Sequence, residues 1–192
     1  MTDAVWSTEL LGNLAAPDDG AVAIGPFGSN MKADTYVSEG VPVIRGTNLD
    51  GQPGFRGAFV FVGDDVVSRF SRCVIQPGDL VFPHRGAIGS VGIADDVPPG
   101  RWLLSTSMMK FRADPERLDS LFAFHFFRSD QGRHELLKNA SQVGTPGIAQ
   151  PLTSLRACEV PVPPIDEQRA IASVLGALDD KIEQNRRTAQ KL

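Results

Sequence analysis

The sequence predicts an α+β fold, in which a strand- and turn-rich domain is followed by a long C-terminal α-helix that forms a coiled coil. Up to about residue 112, short apolar runs alternate with glycine- and proline-rich turns, as is typical of short strands. From residue 165 onward, apolar residues recur every three or four positions with no proline, as is typical of one long helix. We therefore expect a globular domain over residues 1–164 and a helical segment over residues 165–192.

Short strands and tight turns account for the first part of the chain. Val5–Leu14 has the pattern of a short helical or capping segment. Apolar runs predict strands at Val41–Arg45, Phe59–Val62 and Leu80–Phe82. A longer strand is predicted over Leu103–Phe111.

Helical spacing replaces the strand pattern after residue 113. Asp114 can cap a helix that Pro115 begins, because proline is well tolerated at the first helical position. Apolar residues keep that spacing as far as Phe126. A second short helix is predicted over about His134–Asn139, and the domain ends with a strand at Glu159–Val162.

The last segment has the clearest pattern. Asp166 is a good N-cap, and apolar residues then repeat with a period of about 3.5, which predicts a left-handed coiled coil. The same stripe is also typical of a helix face packed on a core, and that alternative stays open. The positions that we expect to mediate dimerisation are Ile171, Leu175, Leu178, Ile182, Asn185, Ala189 and Leu192.

Composition limits the classes of function. Hydrophobic and charged contents of 42% and 22% are those of a soluble globular protein, and no apolar run is long enough for a membrane span. The N-terminus has no signal-peptide pattern, so we expect a cytoplasmic protein in which Cys73 and Cys158 are buried free thiols. The net charge of −4 argues against indiscriminate coating of nucleic acid, but a local basic face would still allow specific binding.

Catalytic motifs are scarce. The histidines do not have a zinc-ligand spacing, and the glycines of residues 86–92 lack the order of a nucleotide-binding loop. We therefore expect no metal, no cofactor and no catalytic residue in this chain.

Candidate binding residues are more frequent. Arginine and asparagine side chains suit the edges of guanine and adenine in the major groove, and hydroxyl groups in turns suit phosphates. The candidates for DNA contact are Ser29, Lys32, Arg45, Thr47, Asn48, Arg72, Arg85, Lys110 and Thr145.

The C-terminal segment also carries a family likeness. Glu167-Gln168, Ile171-Ala172 and Leu178-Asp179 follow a proline-rich turn, and in this order they resemble the conserved helical region of type I restriction–modification specificity subunits. The likeness extends to several turns of the domain: Gly28-Ser29 with Lys32, Gly40–Arg45 with Asn48, Gly78–Val81, Arg85-Gly86 with Gly89, and Gly144 before Leu152.

The resemblance implies a non-catalytic subunit that reads double-stranded DNA. Such subunits hold DNA methyltransferase subunits and, through them, a restriction subunit that translocates DNA. The usual member has two recognition domains and two helices, whereas this chain has one of each, which implies a half-subunit that forms a homodimer or a fragment of a longer chain. A protein-interaction module that dimerises through its helix without reading DNA is the alternative function.

Overall fold

The computed structural model describes residues 6–26, 28, 31, 33–95, 102–141 and 144–189. The strands are β1 (Ser7–Leu10), β2 (Val22–Ile24), β3 (Tyr36–Val37), β4 (Val41–Ile44), β5 (Val60–Val62), β6 (Val74–Ile75), β7 (Leu80–Pro83), β8 (Gly92–Ile93), β9 (Trp102–Leu104), β10 (Met108–Phe111), β11 (Ala140–Ser141), β12 (Gly147–Ile148) and β13 (Glu159–Val162). The α-helices are α1 (Asp64–Arg69), α2 (Ser120–Arg128), α3 (Asp130–Leu137), α4 (Pro151–Arg156) and α5 (Ile165–Ala189). Short 3₁₀ turns lie at Leu11–Leu14, Ala33–Thr35, Gly46–Asn48 and Ser71–Cys73. These elements confirm the predicted α+β class.

Two sheets form the body of the domain. One has the strand order β3-β5-β4-β9-β6 and the other β2-β10-β7-β8, while β1 pairs with β13 and β11 with β12. Side chains alternate across β10 and β7. Met108 and Val81 therefore pack toward the five-stranded sheet, whereas Met109 and Phe82 pack toward the helices.

The helices cover the outer face of the four-stranded sheet. The side chain of Asp119 caps α2 by accepting a hydrogen bond of 2.8 Å from the backbone N–H of Phe122. The rings of Phe127 on α2 and Phe82 on β7 meet edge to face, with centroids 5.2 Å apart. The core between the helices and this sheet is therefore closed by aromatic side chains.

Three local expectations from the sequence are wrong. Residues 7–10 form strand β1 and not a helix, because they pair with β13 of the far end of the chain. The expected strand Leu103–Phe111 is two strands, since β9 and β10 join different sheets. Helix α2 is capped by Asp119 and not by Asp114. In the first two cases, pairing between strands distant in sequence decides the local structure.

The cysteine prediction is confirmed, because Cys73 and Cys158 are free and buried. Burial raises the pKa of Cys158 to about 12, with a further contribution from Glu135. Within the described residues, no helix is both long and apolar enough to cross a bilayer.

Candidate nucleic-acid interface

Surface turns from four separate parts of the sequence meet at one end of the domain. We call them the turn cluster: Gly46–Asn48, Arg85–Ala87, Ser105–Ser107 and Gly144–Gly147. The backbone N–H of Gly86 donates to the Pro146 carbonyl at 2.9 Å. A Cβ built on Gly46 would lie 3.8 Å from Cβ of Ala87, so the first of these turns touches the second.

His84, at the end of β7, joins the turns of the cluster. Its backbone N–H donates to the Ser107 carbonyl, and its own carbonyl accepts from Ile148, both at 2.9 Å. Its buried ring places Nε2 3.1 Å from the Thr106 carbonyl oxygen. Burial lowers the pKa of His84 and Arg85 lowers it further, while the Thr106 contact acts in the opposite direction. The sequence expectations did not include His84, because only the fold shows that it lies between the turns.

Two glycines allow turns of the cluster to protrude. Gly86 and Gly144 have φ angles of 78° and 77°, a region that other residues rarely adopt. No heavy atom lies within 4 Å of a Cβ built at either position. Backbone conformation, and not lack of space, therefore requires glycine there, and the surface around both turns is open to a partner.

The charge of the turn cluster differs from that of the whole chain. Its four segments and the adjoining His84 contain no aspartate or glutamate, although the chain carries a net charge of −4. Arg85, Thr47 and Thr145 are exposed in it. Such a surface offers a guanidinium group and two hydroxyl groups to an anionic or polar ligand.

The predicted DNA-contact residues divide into separate groups in the structure. Arg85, Thr47 and Thr145 come together in the turn cluster. Ser29 and Lys32 lie outside the described residues.

Asn48 is a corrected expectation, because its side chain is only 1% exposed. Its Oδ1 accepts from the backbone N–H of Arg45 at 3.0 Å, and its Nδ2 donates to the carbonyls of Arg56 and Ala58 at 2.9 and 3.2 Å. Arg45 is half-buried beside it and donates to the Ala58 carbonyl at 3.0 Å. Both side chains therefore hold the loop that presents Thr47.

Lys110 is also corrected, since it is 2% exposed and lies between the two sheets. Its Nζ donates to the Val74 carbonyl at 2.7 Å and to Asp79 Oδ2 at 2.8 Å. Arg112 Nε donates to the other oxygen of Asp79 at 2.7 Å. Burial lowers the pKa of Lys110, and the charge of Asp79 opposes that shift. Lys110 is therefore part of a buried ionic cluster and cannot reach DNA in this fold.

Arg72 lies at the opposite end of the four-stranded sheet from the turn cluster. It packs beside Gly20, which precedes β2, whereas the cluster adjoins the other end of that strand. Its guanidinium pairs with Asp19 at 2.9 Å. This end of the domain carries carboxylates, so Arg72 lies outside the turn cluster, and its contact with DNA stays a prediction.

Helix α5 has two distinct faces. Gln168 and Ala172 are buried on the domain, which confirms the core-face alternative for the start of the helix. Ile171, which the sequence predicted as a dimerisation residue, also packs against this core. The other face is exposed and carries large apolar side chains: Leu175 at 36%, Leu178 at 55% and Ile182 at 45% exposure. Val174, which is not one of the predicted heptad positions, lies beside them and is 62% exposed. Asn185 and Ala189 are exposed on the same side, and Leu192 lies outside the described residues.

Comparison with known proteins identifies the family to which this chain belongs. The family model described as "Type I restriction modification DNA specificity domain" matches residues 28–192. The chain belongs to this family.

The chain is also similar to curated specificity subunits. The type I restriction enzyme MjaVIII specificity subunit of Methanocaldococcus jannaschii is 25% identical over 169 residues, which cover 86% of this chain and 39% of that protein. The putative MjaX specificity subunit of the same organism is 26% identical over 121 residues, 62% of this chain and 26% of the relative. The chain thus spans well under half the length of these relatives.

Solved structures share the fold. A chain from a type I R-M system aligns with a TM-score of 0.69 and 16% identity, over 100% of this chain and 42% of that one. The HsdS subunit of Thermoanaerobacter tengcongensis aligns with a TM-score of 0.65 and 20% identity, over 98% of this chain and 46% of that one. The S subunit from M. genitalium aligns with a TM-score of 0.63 and 18% identity, over 96% of this chain and 41% of that one.

Proposed function

We propose that this chain reads one half of a split DNA target through its turn cluster. It does so as the non-catalytic specificity component of a type I restriction–modification complex in the cytoplasm. The observation that carries the proposal is the turn cluster itself, in which Arg85 and two threonine hydroxyl groups are exposed on segments free of carboxylates. Arginine suits guanine edges and phosphates, and hydroxyl groups suit phosphates.

The partners in this proposal are methyltransferase subunits and, through them, a restriction subunit. Membership of the specificity-domain family and the names of the curated relatives support this assignment. The chain sets which sequence the methyltransferase modifies, and the chemistry belongs to its partners. Sequencing of methylated DNA in cells with and without the gene tests the assignment, because a motif that depends on the gene is expected.

We further propose that two copies associate through the exposed apolar stripe of α5. The stripe consists of Val174, Leu175, Leu178 and Ile182, exposed by 62%, 36%, 55% and 45%. Large apolar side chains in one contiguous exposed row favour a partner surface of the same kind. A homodimer brings two recognition domains to one DNA, and its two-fold symmetry requires a palindromic target.

Substitution of Arg85 tests the placement of the DNA surface. With the motif from methylation sequencing as the duplex, Arg85→Ala should weaken specific binding by about 1–3 kcal/mol, the value of one good arginine contact to a base. Arg72→Ala is the matched control, because Arg72 is an exposed arginine at the other end of the domain. Fluorescence anisotropy at two salt concentrations provides the measurement.

Equal losses for both variants would contradict this placement. A folded dimer that binds no duplex at either salt concentration would instead favour the interaction module, which the net charge of −4 also favours.

A further inference from the structure

The amide of Gln168 is fully buried at the junction between the domain and α5. Its side chain is 0% exposed. Nε2 donates to the Pro163 carbonyl at 2.8 Å and to the Arg117 carbonyl at 3.0 Å. Oε1 accepts from the backbone N–H of Asp119 at 2.9 Å. One side chain therefore joins the segment before α5 to the segment before α2.

These bonds connect the two helices at their starting points. Asp119 is the N-cap of α2, and Pro163 lies two residues before α5 begins. A buried amide that loses its partners costs about 1–3 kcal/mol for each group left unsatisfied. The junction therefore has one favoured geometry, in which all three backbone groups are paired.

Further along, α5 stays in contact with α2. A Cβ on Gly176 would lie 3.7 Å from Leu121, and Asp179 Oδ1 accepts from Arg128 Nη2 at 3.3 Å. From Gln168 to Asp179 the helix rises about 16 Å at 1.5 Å per residue. One face of the helix is thus attached to the domain along this length, and the residues after Asp179 project away.

We propose that Gln168 is a positioning residue, which sets the angle between the recognition domain and the spacer helix and thereby the spacing of the two half-sites. The inference rests on the proposed function. From Gln168 to Ala189 the helix extends about 30 Å. A tilt of about 10° at the junction moves the far end by about 5 Å, more than the 3.4 Å rise of one base pair. The angle at this junction is therefore transmitted to the DNA as a spacer length.

Gln168→Met tests the proposal, because methionine keeps the volume but removes both donors and the acceptor. Val43→Ala is the control for lost stability, since Val43 is 0% exposed in the other core, between the two sheets. Binding is measured on duplexes that carry the two half-sites with the native spacer and with one base pair more or fewer. The unmodified protein should prefer the native spacer by about tenfold or more, comparable to the cost of one mismatched base pair.

We expect Gln168→Met to lose most of this preference while the bases read in each half-site stay the same. Val43→Ala should keep the preference even when its melting temperature falls as far as that of Gln168→Met. Retention of full spacer selectivity by a folded Gln168→Met protein would overturn the proposal.

A second measurement does not depend on DNA. Spin labels on Ser68→Cys in α1 and Arg186→Cys in α5 report the distance between the domain and the helix. Labelled chain is mixed with excess unlabelled chain, so that each dimer carries one labelled copy. The native thiols are buried and should not compete for the label. The distance distribution should be narrow with Gln168 and at least twice as wide in Gln168→Met, and equal widths would overturn the proposal. If no split duplex is bound by the unmodified protein, the proposed function fails, while this measurement still decides the role of Gln168 in orientation.

Discussion

At the scale of single residues, charged side chains are paired with one another inside the domain. Lys110, Asp79 and Arg112 form an ionic cluster in which Asp79 is 0% exposed and also accepts from the backbone N–H of Gln76 at 2.9 Å. Lys110 follows Met108 on the same face of β10, so the alternation of the strand points it between the sheets. Burial of this ammonium group requires the carboxylate beside it.

Asp79→Asn should lower the free energy of unfolding by about 3–5 kcal/mol, because it leaves Lys110 buried without its counterion. Adding Lys110→Met to that variant should recover a large part of the loss. Urea denaturation measures both changes. A loss below about 1 kcal/mol for Asp79→Asn, the range of exposed ion pairs, would contradict the buried role.

At the scale of elements, α5 has two faces that its sequence pattern does not separate. One face packs on α2 through Gln168, Ala172 and Gly176, and the exposed apolar row lies roughly a quarter turn away at about 100° per residue. In our proposals, the intramolecular face orients the helix, and the exposed row binds a second helix.

Leu178→Asp with Ile182→Asp should therefore convert the proposed homodimer to monomers without unfolding the domain. Each buried Leu or Ile in the interface contributes about 1.5–3 kcal/mol. Ser173→Asp with Ala177→Asp is the matched control, because it adds the same two charges at exposed positions on another side of α5. Light scattering gives the mass, and circular dichroism checks the fold. Monomers in the unmodified protein at high micromolar concentration would refute the homodimer.

At the scale of the whole molecule, the proposed function assigns different roles to the domain and to the helix. The turn cluster lies on the domain, whereas the length available between two clusters depends on α5. If this proposal holds, the bases recognised and the spacing between them are properties of different parts of the chain.

A heptad inserted after Ile182 lengthens the helix by about 10 Å, which corresponds to about three base pairs at 3.4 Å each. The spacer in the methylated motif should therefore lengthen by about three base pairs, while the bases at both ends of the motif stay unchanged. Sequencing of methylated DNA from cells that carry the lengthened gene provides the measurement. A change in the end bases, or an unsplit motif, would argue against the division of roles.

The sequence by itself determined the α+β class, the long helix that begins near Pro164 and the glycine turns around Gly86 and Gly144. Each of these depends on local properties, since proline and glycine restrict or free the backbone and apolar periodicity defines a helix face. The family likeness followed from the same local motifs. These features needed no knowledge of which distant segments meet.

Only the tertiary structure decided which side chains are available to a ligand. Lys110 and Arg85 are both cations in the strand-rich half of the chain, yet one is 2% exposed beside Asp79 and the other lies on the surface. Gln168 likewise stands in a polar stretch of helix, but its partners are residues 49 and 51 positions away along the chain as well as Pro163. Burial and pairing depend on contacts between segments distant in sequence, and no local pattern specifies them.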